Sequence, residues 1–130
     1  MDNIFHLAIP THDLDQAKDF YEKLYGVEIG RQNTDNFILN FFGHQVVCHE
    51  DLESKIESPR MYPRHFGLCL MNENDLLQLR KSVKEDSIIY QDIFTRFVGT
   101  DNEHQSFFLK DPSGNLLEFK CYKYKKALFN

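Results

Sequence analysis

The sequence has no surplus of basic residues. Its 15 Lys and Arg stand against 20 Asp and Glu, a formal net charge of −5, the opposite of what a phosphate backbone attracts, so no nucleic-acid partner is expected. Cysteine is scarce. Cys48, Cys69 and Cys121 are an odd number without a C-x-x-C pair, which argues against a disulfide framework and fits reduced thiols in a cytosolic protein. No apolar run approaches the ~18 residues of a membrane span, and Asp2 stands where a secretory leader would be basic. These absences imply a cytoplasmic protein with no membrane partner. What is present is a chain of 130 residues, 42% of them hydrophobic, enough for one domain, 1–130, to bury a core without staples.

The chain repeats itself. "FHLAI" (5–9) reads as a strand and leads through "PTH" into "DLDQAKDFYEKLYG", where Leu14, Ala17, Phe20 and Leu24 recur at helical spacing. Asp13 and Gln16 have the spacing of a capping box, and Gly26 is placed to end the helix. Three strand signals follow, "VEIGR" (27–31), "FILNFF" (37–42) and, after a turn at Gly43-His44, "QVVCHE" (45–50). The second half gives the same series: "HFGLCL" (65–70), a helix "DLLQLRKSVKE" (75–85) that again opens D-L-x-Q, then "IIYQDIFTRF" (88–97), "SFFL" (106–109), a turn "KDPSGN" and "LLEFKCY" (116–122). Two βαβββ modules, about 1–50 and 64–124, are expected to share one core. The charged link "DLESKIESPRMYPR" (51–64) carries Pro59 and Pro63 and reads as a surface crossover.

Both modules open their first strand with a histidine, His6 and His65. If the modules pair about a pseudo-twofold axis, equivalent strand starts come together. Two imidazoles and one carboxylate form the common facial triad for a divalent metal. Glu118 is the candidate carboxylate, since it stands on a strand among Leu117, Phe119 and Cys121, where burial is costly without a partner or a metal. The plainer alternative is a Glu118 that faces water or pairs with Lys120 or Lys123. Among the remaining histidines, His12 reads as a surface or capping residue at the helix entry and His44 as a turn residue. His104 precedes a strand that should reach the site.

The stretches "FHLAI...DLDQAKDFYEKLYG", "RHFGLCL" and "SFFLKDPSGNLLEFK" resemble the vicinal oxygen chelate superfamily, which includes glyoxalase I, fosfomycin resistance proteins, extradiol dioxygenases and bleomycin-binding proteins. The resemblance covers essentially the whole chain, and the D-P-x-G-N-x-x-E turn and strand is its most distinctive part. It implies an α+β fold of two paired βαβββ modules forming a half-open, cupped mixed sheet with flanking helices. His6, His65 and Glu118 fall where the family's metal ligands fall, implying one divalent ion (Fe, Mn, Ni or Zn), a small-molecule substrate and a homodimer.

The branches of the family match in part. Metal-binding glyoxalases supply a second carboxylate from the strand that is here "QVVCHE", but an ungapped superposition places Cys48 opposite Glu118. Fosfomycin resistance proteins carry a threonine two residues after the first histidine, and this chain has Ala8. Extradiol dioxygenases use an acid-base histidine where His49 falls, and a tyrosine near the position of Phe108. The resemblance thus implies His49 as a catalytic residue, if its face of the strand points inward, and His104 and Phe108 as substrate contacts. It implies a metal-dependent enzyme of dioxygenase-like or lyase/isomerase-like chemistry. The alternative is a bleomycin-resistance-type binding protein without catalysis.

Overall fold

The computed structural model describes residues 2–130. The chain forms ten principal elements: β1 (His6–Thr11), α1 (Leu14–Glu22), β2 (Val27–Gln32), β3 (Asn36–Phe41), β4 (His44–Glu50), β5 (Phe66–Cys69), α2 (Glu73–Ser82), β6 (Ile89–Arg96), β7 (His104–Lys110) and β8 (Leu116–Tyr122). The class is α+β, built of two βαβββ modules. Each contains a four-stranded mixed sheet, ordered β1-β4-β3-β2 and β5-β8-β7-β6, and neither sheet closes on itself. In both, the first strand runs parallel to the last, because the intervening helix carries the chain across the sheet face. The chain divides into two compact units, 1–59 together with 111–115, and 60–110 together with 116–130.

In the first unit, α1 begins at Asp13, whose carboxylate accepts from the Gln16 N–H at 3.0 Å, as its spacing predicts. Ala17, Phe20 and Tyr21 are buried, and the sheet supplies Phe37, Leu39, Val46 and Cys48. The β3–β4 hairpin turns on Phe42 and Gly43, both at positive φ. His44 is therefore the first residue of β4 and not part of the turn, and its Nδ1 accepts from the Phe5 N–H.

In the second unit, α2 starts two residues before the expected Asp75. Asn72 is the cap, accepting from the Asp75 N–H at 2.9 Å. The competing signal was the nearer one: Asp75 sits three residues after an Asn that can close the same capping geometry. Leu76 and Leu79 of α2 are nearly inaccessible, as are Phe107, Leu109, Leu117 and Phe119 of the sheet. Gly67 pairs with Glu118 across β5 and β8, and a Cβ at Gly67 would collide with the Glu118 carbonyl. Only glycine lets the two backbones approach there.

The turn between β7 and β8 belongs to the first unit. Asp111 is 3% exposed and accepts from the Ser113 and Asn115 N–H groups, from Asn115 Nδ2, and from the Tyr21 hydroxyl at 2.7 Å. Asn115 Nδ2 also donates to the Pro10 carbonyl, and Ser113 Oγ accepts from the His12 N–H. The D-P-x-G-N motif is thus a structural clip, with His12 engaged by it.

Burial, reinforced by the nearby Asp111 charge, pushes the Tyr21 phenol well above 10.0 and the Cys48 thiol above 9.0. Both groups stay neutral in the fold to higher pH than in the unfolded chain. Their stabilisation is fully present below about pH 9 and is lost as pH rises beyond it, by up to ~1.4 kcal/mol per pH unit for each group. Urea midpoints measured at about pH 8 and about pH 10.5 should show this fall, and Cys48→Ala should remove the thiol's share.

Candidate metal centre

The structure brings His65 and Glu118 together. His65 Nε2 lies 3.2 Å from Glu118 Oε1, with the imidazole 24% and the carboxylate 8% exposed. β8 places Glu118 by alternation and β5 places His65 at its N-terminal edge. The Met61 carbonyl oxygen is 2.6 Å from His65 Nδ1 and can only accept, so Nδ1 carries the ring proton. In the neutral ring Nε2 then presents a lone pair to a carboxylate oxygen. Two acceptor atoms facing each other at this distance need a proton or a metal cation between them. An Nδ1–H donated to a backbone carbonyl is also how ligating histidines are oriented.

Glu118 has other partners. Ser106 Oγ donates to Oε2 at 2.8 Å, and Lys120 Nζ stands 3.7 Å from Oε1. Sequence reasoning therefore understated its surroundings: the Lys120 pairing weighed as the plainer alternative is present, and Ser106 was missed. Ser106 and Glu118 both alternate onto the face opposite α2, a signal available from period-two counting. Burial lowers the Lys120 pKa, but Glu118 and Tyr122 together raise it by more, so the ammonium is held charged.

His6 belongs to the first unit and is exposed, with Nδ1 donating to Gln45 Oε1 at 2.6 Å. Its Nε2 is left without a protein partner among the described residues. Also among the described residues, no group of three or more His, Cys, Asp or Glu is arranged to hold a metal ion.

Strand register settles which β4 residue corresponds to Glu118. Ala8, two beyond His6, pairs with Val47, whereas Gly67, two beyond His65, pairs with Glu118. Val47 is the counterpart, not Cys48, so the ungapped superposition was one residue out of register and had placed Cys48 on the wrong face. Cys48 is fully buried, and so is Tyr21 of α1, to which it is electrostatically coupled. His49, exposed, shares the opposite face with Val47, Gln45 and His6. Either way the second carboxylate of the metal-binding glyoxalases is missing.

Phe108 is fully buried, its ring edge-on to His65 at 5.5 Å and stacked with Phe94. His104 is also buried, with Nδ1 donating to the Asn102 carbonyl and its ring 4.8 Å from Tyr122. A cavity of about 330 Å³ lies beside His104, lined also by Met71, Glu73, Glu103, Cys121 and Tyr122. His65 and Glu118 do not line it. Two further residues at the centre went unnoticed in the sequence, Tyr62 and Arg96: the Tyr62 ring lies edge-on to His65 at 5.6 Å, and Arg96 donates to the Tyr62 hydroxyl.

The sequence pattern of the glyoxalase/bleomycin resistance protein/dioxygenase superfamily matches residues 3–119. The chain belongs to this superfamily. The fold is similar to a glyoxalase/bleomycin resistance protein/dioxygenase from Alicyclobacillus acidocaldarius, with TM-score 0.89 and 43% identity over 98% of this chain and 96% of that one. A glyoxalase domain-containing protein of Mycosarcoma maydis is 26% identical over 121 residues, 91% of this chain and 67% of that protein. A fosfomycin resistance protein of Listeria monocytogenes shares the fold, with TM-score 0.71 at 14% identity, covering 96% of this chain and 97% of that one. Superfamily members commonly use a divalent metal and bind small-molecule substrates. Among the described residues no helix is long and apolar enough to cross a membrane.

Proposed function

We propose that this superfamily member is a metal-dependent enzyme acting on a small oxygen-chelating molecule, with His6, His65 and Glu118 as ligands of one divalent ion (Fe, Mn, Ni or Zn). The observation that carries the proposal is the His65–Glu118 pair, two electron-donating atoms 3.2 Å apart with the imidazole oriented through its far nitrogen. His6 supports it, since its Nδ1 is likewise engaged and its Nε2 is free to ligate. The donor set fits a divalent first-row ion, and ligand type does not choose among the four. Bound there, such an ion supplies Lewis-acid stabilisation of a developing oxyanion or enolate, or dioxygen activation if it is iron.

The protein's own residues do the rest. Ser106 fixes the Glu118 carboxylate, Met61 fixes the His65 ring, and Phe108 and Tyr62 pack against that ring. His49, exposed on the sheet face that also carries His6 of β1, is assigned the proton transfer to and from substrate. His104 and Phe108 are assigned to the substrate pocket. The two modules act as one cytoplasmic domain. Elemental analysis of untagged protein tests the metal directly, with one equivalent expected. His49→Ala should keep that equivalent while losing ~10²-fold or more in turnover, and unchanged turnover would remove His49 from the mechanism.

We further propose a homodimer. Phe129 is 94% and Val98 72% exposed, and a second copy would cover such apolar surface. Light scattering at micromolar concentration should give twice the chain mass.

A further inference from the structure

The face of the second unit that carries His65 and Glu118 presents more positive than negative charge. Strand register sets its rows: Phe108 beside Glu118 and Gly67, then Phe94, Ser106 and Lys120, then Arg96, His104 and Tyr122. Arg96 and Lys120 lie on one face in adjacent rows with β7 between their strands, so their backbones are roughly 12 Å apart and their long side chains can reach one ligand between them.

Arg96 is held ready for a ligand. Its guanidinium lies 5.7 Å from the centroids of the Tyr62 and Phe94 rings and 5.8 Å from that of Phe97, and it donates to the Tyr62 hydroxyl. No carboxylate pairs with it among the described residues, although Arg80 has a bidentate partner in Asp92. An arginine stacked on aromatic rings keeps its remaining N–H groups in a fixed fork suited to an oxyanion. The neighbouring Tyr62 and Phe97 rings are 55% and 58% exposed, offering an apolar ledge beside that fork.

Lys120 adds to the imbalance. Its charge is now balanced by Glu118, the carboxylate assigned to the metal. In the first module the position equivalent to Glu118 is held by the uncharged Val47. A cationic site of this kind favours an anionic ligand.

From this arrangement we infer that the substrate is a small aromatic or similarly flat organic anion, a carboxylate with a neighbouring oxygen donor, whose charged group is taken by Arg96 and Lys120 while its ring lies on Tyr62 and Phe97. The inference rests on the proposed metal centre for the chelating oxygen and for freeing Lys120 from Glu118, but the anion preference of Arg96 stands without it.

The test is calorimetric titration with salicylate and its neutral counterpart salicylamide, on metal-loaded and on chelator-stripped protein. Salicylate should bind ~10-fold or more tightly than salicylamide. Arg96→Gln should cost salicylate ~10-fold with metal content and salicylamide affinity unchanged, and Arg96→Lys should recover part of the loss. Lys120→Gln, scored for metal content separately because it touches Glu118, should reduce the same preference. Equal affinity for the two probes, a preference that survives both substitutions, or no salicylate binding at millimolar concentration would overturn the inference. A chain that takes up no metal yet shows the preference when stripped would sink the metal centre alone.

Discussion

Glu118→Gln should weaken divalent metal binding by at least ~100-fold, more than the 10–100-fold typical of losing a residue that merely supports a ligand. The amide is nearly isosteric and can still accept from Ser106 Oγ, which donates to Glu118 Oε2 at 2.8 Å, so the sheet should survive. What is lost is the negative oxygen that faces His65 Nε2 and would meet the ion. Elemental analysis should therefore show metal content falling from one equivalent to a small fraction, with a thermal midpoint close to that of the metal-free parent. Full stoichiometry in this variant would show that the carboxylate is no ligand, and the His65–Glu118 contact would then be a plain ion pair.

Asp111→Ala should destabilise the protein by ~3–5 kcal/mol, because it removes an acceptor used by four donors while leaving the Tyr21 hydroxyl buried and unpaired. Burial raises the Asp111 pKa even though hydrogen bonds from Asn115, Tyr21 and Ser113 oppose it, so the carboxylate is tolerated only because that set is complete. For a chain of this length the loss corresponds to a fall in thermal midpoint of ~10–20 °C. Tyr21→Phe should cost ~1 kcal/mol by itself and very little in the Asp111→Ala background, since the bond it breaks is already gone. Additive losses in the double variant would mean that the 2.7 Å contact from Tyr21 to Asp111 contributes nothing.

The repeated order of elements was legible from the residues because hydrophobic period depends on local backbone geometry, 3.6 for α1 and two for β4 and β8. The capping distance of Asp13 was readable for the same reason, and β8 has the bounds its pattern gave, Leu116–Tyr122. The D-P-S-G-N turn was visible as a motif, but its partners Tyr21, His12 and Pro10 lie 90, 101 and 105 positions away in sequence and could not be read from it.

Where two local signals competed, the structure decided. Asn72 outbid Asp75 as a helix cap, and Phe42 with Gly43 took the turn that seemed to include His44. Register was decided only by pairing between distant strands: Ala8 with Val47 and Gly67 with Glu118 moved the equivalence off Cys48 by one residue, and one residue in a strand exchanges its two faces. The sequence by itself determined which residues have the chemistry to ligate, His6, His65 and Glu118. Only the tertiary structure showed that His65 meets Glu118, that Ser106 and Lys120 share that carboxylate, and that Arg96 stands on the same face stacked on aromatic rings. The contacts of His65 with Glu118, Arg96 with Tyr62 and Ser106 with Glu118 join residues 53, 34 and 12 positions apart, and spacing along the chain does not report which of them meet; Lys120, two residues from Glu118 on the same strand, was an alternative the sequence already offered and the structure chose.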